Sequence, residues 1–188
     1  MGDNERRQSA AGIFLEMNSA AYWIKKLSLG RHPEGGYYRE VYRSAENIPQ
    51  DALPGRYDGT RAFSTSIYYL LPGDEVSRFH RLRSDEVWHF YQGRSLFLYV
   101  LSPAGGLDRT RLGSNMEAGD VFQAVVPAGC WFGAAVSARR SYSLVGCAVA
   151  PGFDFRDFEL GRREDLLELY PQHAAIIRRL TRPHRSRD

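Results

Sequence analysis

The chain has 188 residues, enough for one domain with short terminal additions. Hydrophobic residues at 43% and charged residues at 25% describe an ordinary globular protein with material for a substantial core. The net charge of +3 is small, and much of the basic excess sits at the end, in Arg178, Arg179, Arg182, Arg185 and Arg187. A nucleic-acid reader needs a basic stripe on its folded body, and a membrane span needs a long apolar run; the sequence carries neither. Met1–Ala10 is polar and charged, unlike a signal segment, so a cytoplasmic, reducing setting is expected for Cys130 and Cys147.

Residues 1–12 read as a disordered leader, and the single domain is expected over 13–180. Ile13, Phe14 and Met17 share one helical face; Trp23, Ile24 and Leu27 share another, after Asn18 or Ser19 as a cap. His32-Pro33-Glu34-Gly35-Gly36 is a loop by its Pro and Gly content. From about 37 to 151 the pattern changes to short strands rich in aromatic and β-branched residues. They are expected at Tyr37–Arg43, Ala62–Leu71, Val76–Leu82, Val87–Tyr91, Leu96–Ser102, Val121–Val126, Trp131–Val136 and Tyr142–Ala150. Turn signals such as Pro72-Gly73-Asp74, Gln92-Gly93 and Pro127-Ala128-Gly129 separate them, and Ser44–Gly59 reads as a long surface loop. This spacing predicts an all-β sandwich or barrel. Helical spacing returns at 162–180, with Leu166, Leu167 and Tyr170 in one patch and Ile176, Ile177 and Leu180 in another after Pro171. Residues 181–188 read as a basic, solvated tail.

Chemistry concentrates in the stretch from Gly73 to Gly93. Registered on His80, it resembles the first cupin motif, with Glu86 on the acidic position and Gly93 on the closing turn, but with Leu82 where a second histidine belongs. Gly119-Asp120 followed by Pro127-Ala128-Gly129-Cys130-Trp131-Phe132 resembles the second motif, with Phe132 in the place of its histidine. Two of the four usual ligand positions are therefore apolar, whereas a transition-metal site needs three or four converging donors. No cofactor is expected. A weakly held divalent metal on His80, Glu86 and His89 is the alternative, although strand alternation sends His89 to the face opposite Glu86 and Trp88.

Read whole, the chain is similar to the cupin-type domain of unknown function 985. The resemblance rests on His32–Glu40, Ser77–Leu82, Asp85–Tyr91, Val126–Phe132, and Pro151–Phe155 with Phe158-Glu159-Leu160. It implies a double-stranded β-helix, the cupin jelly roll, with short flanking helices, a homodimer and an interior cavity for a small molecule. The implied fold also resembles that of nucleotide-sugar epimerases, which use a histidine base and no metal.

These features make a metal-independent, isomerase- or epimerase-like enzyme on a small polar metabolite such as a sugar derivative the leading expectation. His80 exchanges a proton next to a carbonyl, Glu86 orients or charges it, and Arg78, on the same strand face, holds an anionic group. Trp88, Tyr37, Arg39 and Phe132 are the further candidates for the substrate wall. Each has a plainer alternative. His80 is equally a core histidine satisfied by a carboxylate and Arg78 equally a partner for Glu86, while the aromatic residues are more commonly core, dimer or edge-strand contacts. A binding cupin without chemistry and a metal-dependent, dioxygenase-like cupin are the competing functions.

Overall fold

Side chains alternate along the central strands, so that one strand can serve two cores. In β8 (Leu96–Leu101), Leu96, Leu98 and Val100 point between the sheets, whereas Phe97, Tyr99 and Leu101 point outward to a second cluster. The computed structural model describes residues 19–183. The expected leader, the expected helical face of Ile13, Phe14 and Met17, and the tail beyond residue 183 lie outside them.

One sheet has six strands in the order β1 (Gly30–Arg31), β2 (Tyr37–Arg43), β5 (Thr65–Pro72), β12 (Tyr142–Ala150), β7 (Asp85–Gly93) and β10 (Gln123–Val126). The other has five, in the order β13 (Glu159–Leu160), β6 (Val76–Arg81), β11 (Trp131–Val136), β8 and β9 (Leu107–Leu112). A separate short pair joins β3 (Asn47–Ile48) to β4 (Arg61–Ala62). Most neighbours in each sheet are non-consecutive in the chain, and their pairings are antiparallel, the arrangement of a jelly roll.

The helices cover the outer faces. Ser19 caps α1 (Ala20–Lys26) by accepting from Tyr22 N–H at 3.1 Å, and Trp23, Ile24 and Leu27 pack over Leu70, Tyr142 and Leu144. Leu166 of α2 (Arg163–Leu169) and Ile177 of α3 (Ala174–Arg179) bury against Phe79, Tyr99 and Leu101. Pro171 opens the turn between the two helices. The N- and C-terminal helical segments thus shield the outer faces of different sheets.

Three departures from the expected strands have local causes. The stretch Ala62–Leu71 is broken at Phe63-Ser64 into β4 and β5. The expected loop Ser44–Gly59 contains β3 and a 3₁₀ turn at Gln50–Ala52. β9 lies outside the expected strands: Leu107-Asp-Arg-Thr-Arg-Leu112 is polar in its middle because it forms the edge of its sheet beside β8. Two loops are welded by a buried ion pair. Arg61 meets both carboxylate oxygens of Asp157 at 2.7 Å and also donates to the carbonyls of Asp58, Gly59 and Thr60. Removing one partner would leave an uncompensated buried charge.

β6 carries a bulge. Phe132 pairs with His80 and Ala134 with Ser77, so three steps along β6 oppose two along β11. Ser77 and His80 both point inward as a result. Gly133 lies against this bulge; an added Cβ would stand 2.8 Å from Ser77 O and 3.1 Å from Phe79 N. Gly133→Ala is expected to destabilise the fold by about 1–3 kcal/mol, because only backbone can move to make room. A urea midpoint indistinguishable from that of the unaltered chain would contradict this account of the bulge.

Candidate functional site

Between the sheets lies a cavity of about 480 Å³, within the range of small-molecule sites. Its wall combines Tyr38 of β2, Ile67 and Tyr69 of β5, His80 of β6, Glu86 and Trp88 of β7, and Cys147 of β12 with the loops at residues 32–34 and 153–158.

The loop His32–Gly36 delivers a carboxylate to the centre of this wall. Gly35 and Gly36 adopt left-handed conformations at φ 122° and 67°, and a side chain at Gly35 would collide with the Val76 carbonyl. Glycine here lets the loop fold onto β6. Glu34 is then only 5% exposed. Its Oε1 accepts from Ser77 Oγ at 2.8 Å, and its Oε2 lies 3.1 Å from His80 Nε2 and 3.2 Å from His32 Nδ1. The Tyr69 hydroxyl donates to the Gly35 carbonyl at 3.0 Å. Burial pushes the Glu34 pKa up, but the charge of His80, the His32 contact and Ser77 outweigh it and hold the carboxyl at about 2.

His80 is fixed at both ring nitrogens. Nδ1 lies 2.7 Å from the Arg78 carbonyl, and Nε2 faces Glu34. Burial pushes its pKa below the ordinary value, against the pull of Glu34 and the Arg78 carbonyl. A neutral imidazole has one N–H and here meets two acceptors, so only the doubly protonated ring satisfies both. The two acceptors favour the charged ring and burial opposes it. The ring lies on Phe132, with centroids 4.0 Å apart.

His32 differs. Its Nδ1 is 3.2 Å from Glu34 Oε2 and 3.4 Å from the Glu34 backbone N–H; the shorter, charged contact makes it the donor. Nε2 meets no protein partner among the described residues, and the ring lines the cavity. Tyr38 stands edge-on at 4.5 Å and Phe155 lies parallel at 6.3 Å, so the ring is held in place.

The second carboxyl is the opposite of the first. Glu86 accepts from Trp88 Nε1 at 2.9 Å but has no cation beside it. Burial, with the nearby charge of Glu34, raises its pKa to about 8, so it is protonated at neutral pH. At the cavity wall, Arg43 pairs with Glu40 at 2.7 Å and donates to the Phe153 carbonyl at 3.1 Å.

Of the residues singled out in the sequence, His80, Glu86 and Trp88 stand together in the cavity wall. Arg78 does not. The bulge turns it away from His80, and its guanidinium instead binds the backbone carbonyls of Pro33 and Glu34, securing the loop that carries Glu34. Tyr37 packs with Leu29 and Leu70 and stacks on Arg31 at 4.1 Å; Tyr38, opposite inward-facing Tyr69, takes the cavity position. Arg39 is exposed, while Glu40 and Arg43 reach the cavity. Phe132 is fully buried behind His80 and gives no surface to the hollow. His89 sits with Val87 on the outer face of β7, away from Glu86. The sequence pattern marks His32 and Glu34 only as loop residues. The one available signal was an ionisable pair inside a turn tight enough to require two glycines.

The residues do not fit the metal that the cupin motifs bring to mind. Leu82 and Phe132 fill two ligand positions with buried hydrocarbon, and Glu34 takes His80 Nε2. Among the described residues no group of three His, Cys, Asp or Glu is disposed to hold an ion.

A family model described as Cupin superfamily (DUF985) matches residues 21–161. The X-ray structure of protein SO0799 from Shewanella oneidensis is 46% identical, with a TM-score of 0.80 over 89% of this chain and 100% of that one. A hypothetical protein from Leishmania major is 39% identical, with a TM-score of 0.79 over 87% and 99%. The Saccharomyces cerevisiae protein YML079W is 30% identical over 165 residues, 82% of each chain. With the family model spanning most of its length and these relatives matched nearly end to end, the chain belongs to the DUF985 family of the cupin superfamily.

Proposed function

We propose that the barrel binds a small polar metabolite and moves a proton at a carbon next to its carbonyl, as an isomerase or epimerase does. One observation carries this reading: two carboxyls in one cavity are held in opposite protonation states, Glu34 at about 2 and Glu86 at about 8. Environments that drive two such groups apart mark out an acid and a base.

In this scheme His32 Nε2 is the base. It takes the proton from the carbon, and Glu34, hydrogen-bonded to Nδ1, stabilises the imidazolium that forms. Neutral Glu86 gives its proton to the carbonyl oxygen, producing an enol. His32 then returns its proton to the opposite face of the same carbon once the enol has turned, while Glu86 takes its proton back from the enol oxygen, giving the epimer. Delivered instead to the former carbonyl carbon, with Glu86 taking the proton of the neighbouring hydroxyl, it gives the isomer. Expectation from sequence put the exchange on His80 itself. Its two occupied nitrogens support a positioning role instead, in which it keeps Glu34 ionised and aimed at His32.

Incubation in deuterated water with a panel of ketoses, aldoses and keto acids is expected to place deuterium next to a carbonyl in at least one compound. His32→Ala is expected to slow that exchange by about 10²–10⁴-fold without unfolding the chain. His80→Asn is expected to slow it too, while altering the pH profile rather than the affinity for the compound. A compound held tightly and returned without deuterium would make the barrel a binding site with no chemistry.

The pH dependence follows from Glu86. Its folded pKa lies above the unfolded value, so its contribution to stability is complete below about 4.5 and lost as pH rises through about 8. Exchange is expected to fall about tenfold per pH unit above that point as the acid ionises. In Glu86→Gln the alkaline fall in both stability and residual exchange should vanish. Persistence of that limb in the variant would remove Glu86 from the mechanism.

A further inference from the structure

At the turn joining β6 to β7, a second hollow of about 430 Å³ is walled by Arg56, Arg81, Arg83 and Arg156 against Asp157 and Glu159. Most of this charge is matched locally. Arg81 meets Glu159 at 2.7 Å, Arg156 meets Asp154 at 2.8 Å, and Asp157 is taken through both oxygens by buried Arg61. Arg83 reaches Asp157 only at 3.7 Å, and Arg56 has no carboxylate partner among the described residues.

These two under-matched arginines are tied to each other. Arg56 Nε donates to the Arg83 carbonyl at 2.7 Å, and Arg83 Nη1 donates to the Arg56 carbonyl at 2.8 Å. The reciprocal clamp fixes both side chains on the wall of one hollow, so an anion lying there would meet two positioned guanidinium groups. Each keeps unused N–H donors, and the guanidinium fork matches a phosphoryl group in shape. Leu82 and Phe158 belong to the walls of both this hollow and the barrel cavity.

We infer that Arg56 and Arg83 form a phosphoryl-binding site, and that the metabolite of the barrel is a phosphate or diphosphate ester whose tail crosses Leu82 and Phe158 to reach them. The second half rests on reading the barrel as the proton-transfer site. The first half stands on the arginine pair alone.

Calorimetric titration of the full chain with pyrophosphate, orthophosphate and malonate, at fixed ionic strength, tests it. Pyrophosphate should bind tightest, and Arg56→Gln combined with Arg83→Gln should weaken it at least tenfold. Arg31→Gln, which removes an exposed arginine paired with Glu75 elsewhere, should leave binding unchanged. Arg83→Lys keeps the charge without the fork and should lose less affinity than Arg83→Gln. Pyrophosphate binding no tighter than malonate, an equal loss in Arg31→Gln, or a loss in Arg83→Lys as large as in Arg83→Gln would each overturn the site. Pyrophosphate binding without deuterium exchange in any phosphorylated carbonyl compound would sink only the proton-transfer reading. Exchange in unphosphorylated compounds by a chain that ignores pyrophosphate would sink only the phosphoryl site.

Discussion

An ionised carboxylate taken out of water must have its charge and its lone pairs matched by the protein, or it will take up a proton. At Glu34 the match is made by two imidazoles on one oxygen and a serine hydroxyl on the other. Much of the local architecture serves that match. The β6 bulge turns Ser77 and His80 to the same side, and Gly133 leaves room for it. The glycine pair folds the loop down, while Arg78 holds its backbone from behind.

The same cavity treats its other carboxyl in the reverse way. Glu86 has the Trp88 indole N–H and the Cys147 thiol beside it but no cation, so neutrality costs less than charge. The negative charge fixed at Glu34 reinforces that preference, because two anions in one enclosed space repel. Anchoring one carboxylate thus adds to the burial that keeps the second protonated. Leu82 and Phe132, standing where the cupin motifs place histidines, contribute packing; Phe132 backs His80 and keeps water from it.

The framework was legible because its strands are short runs of apolar, aromatic and β-branched residues bracketed by turn residues. Trp131–Val136 and Tyr142–Ala150, flanked by turn residues and buried almost throughout, match the expected strands residue for residue. Alternation also put Glu86 and Trp88 on the cavity face and His89 on the other. It failed where the period slips. Arg78 lost its place beside His80 because of one extra residue, and Tyr37 and Arg39 were chosen when the register with β5 points Tyr38 and Glu40 inward. His32 and Glu34 lie in a loop with no period at all, so their convergence on His80 depends on tertiary folding. The edge strand at Leu107–Leu112 escaped notice because its exposed middle positions are free to be polar.

The central claim is that one cavity carboxyl is anchored as an anion while the other keeps its proton. Carbon-13 NMR of the glutamate side-chain carboxyls, titrated with pH and assigned with Glu34→Gln and Glu86→Gln, measures both directly. Glu34 should remain ionised down to about pH 2 and Glu86 should titrate near about 8. Two carboxyls titrating together near the ordinary glutamate value of about 4.3 would contradict the account.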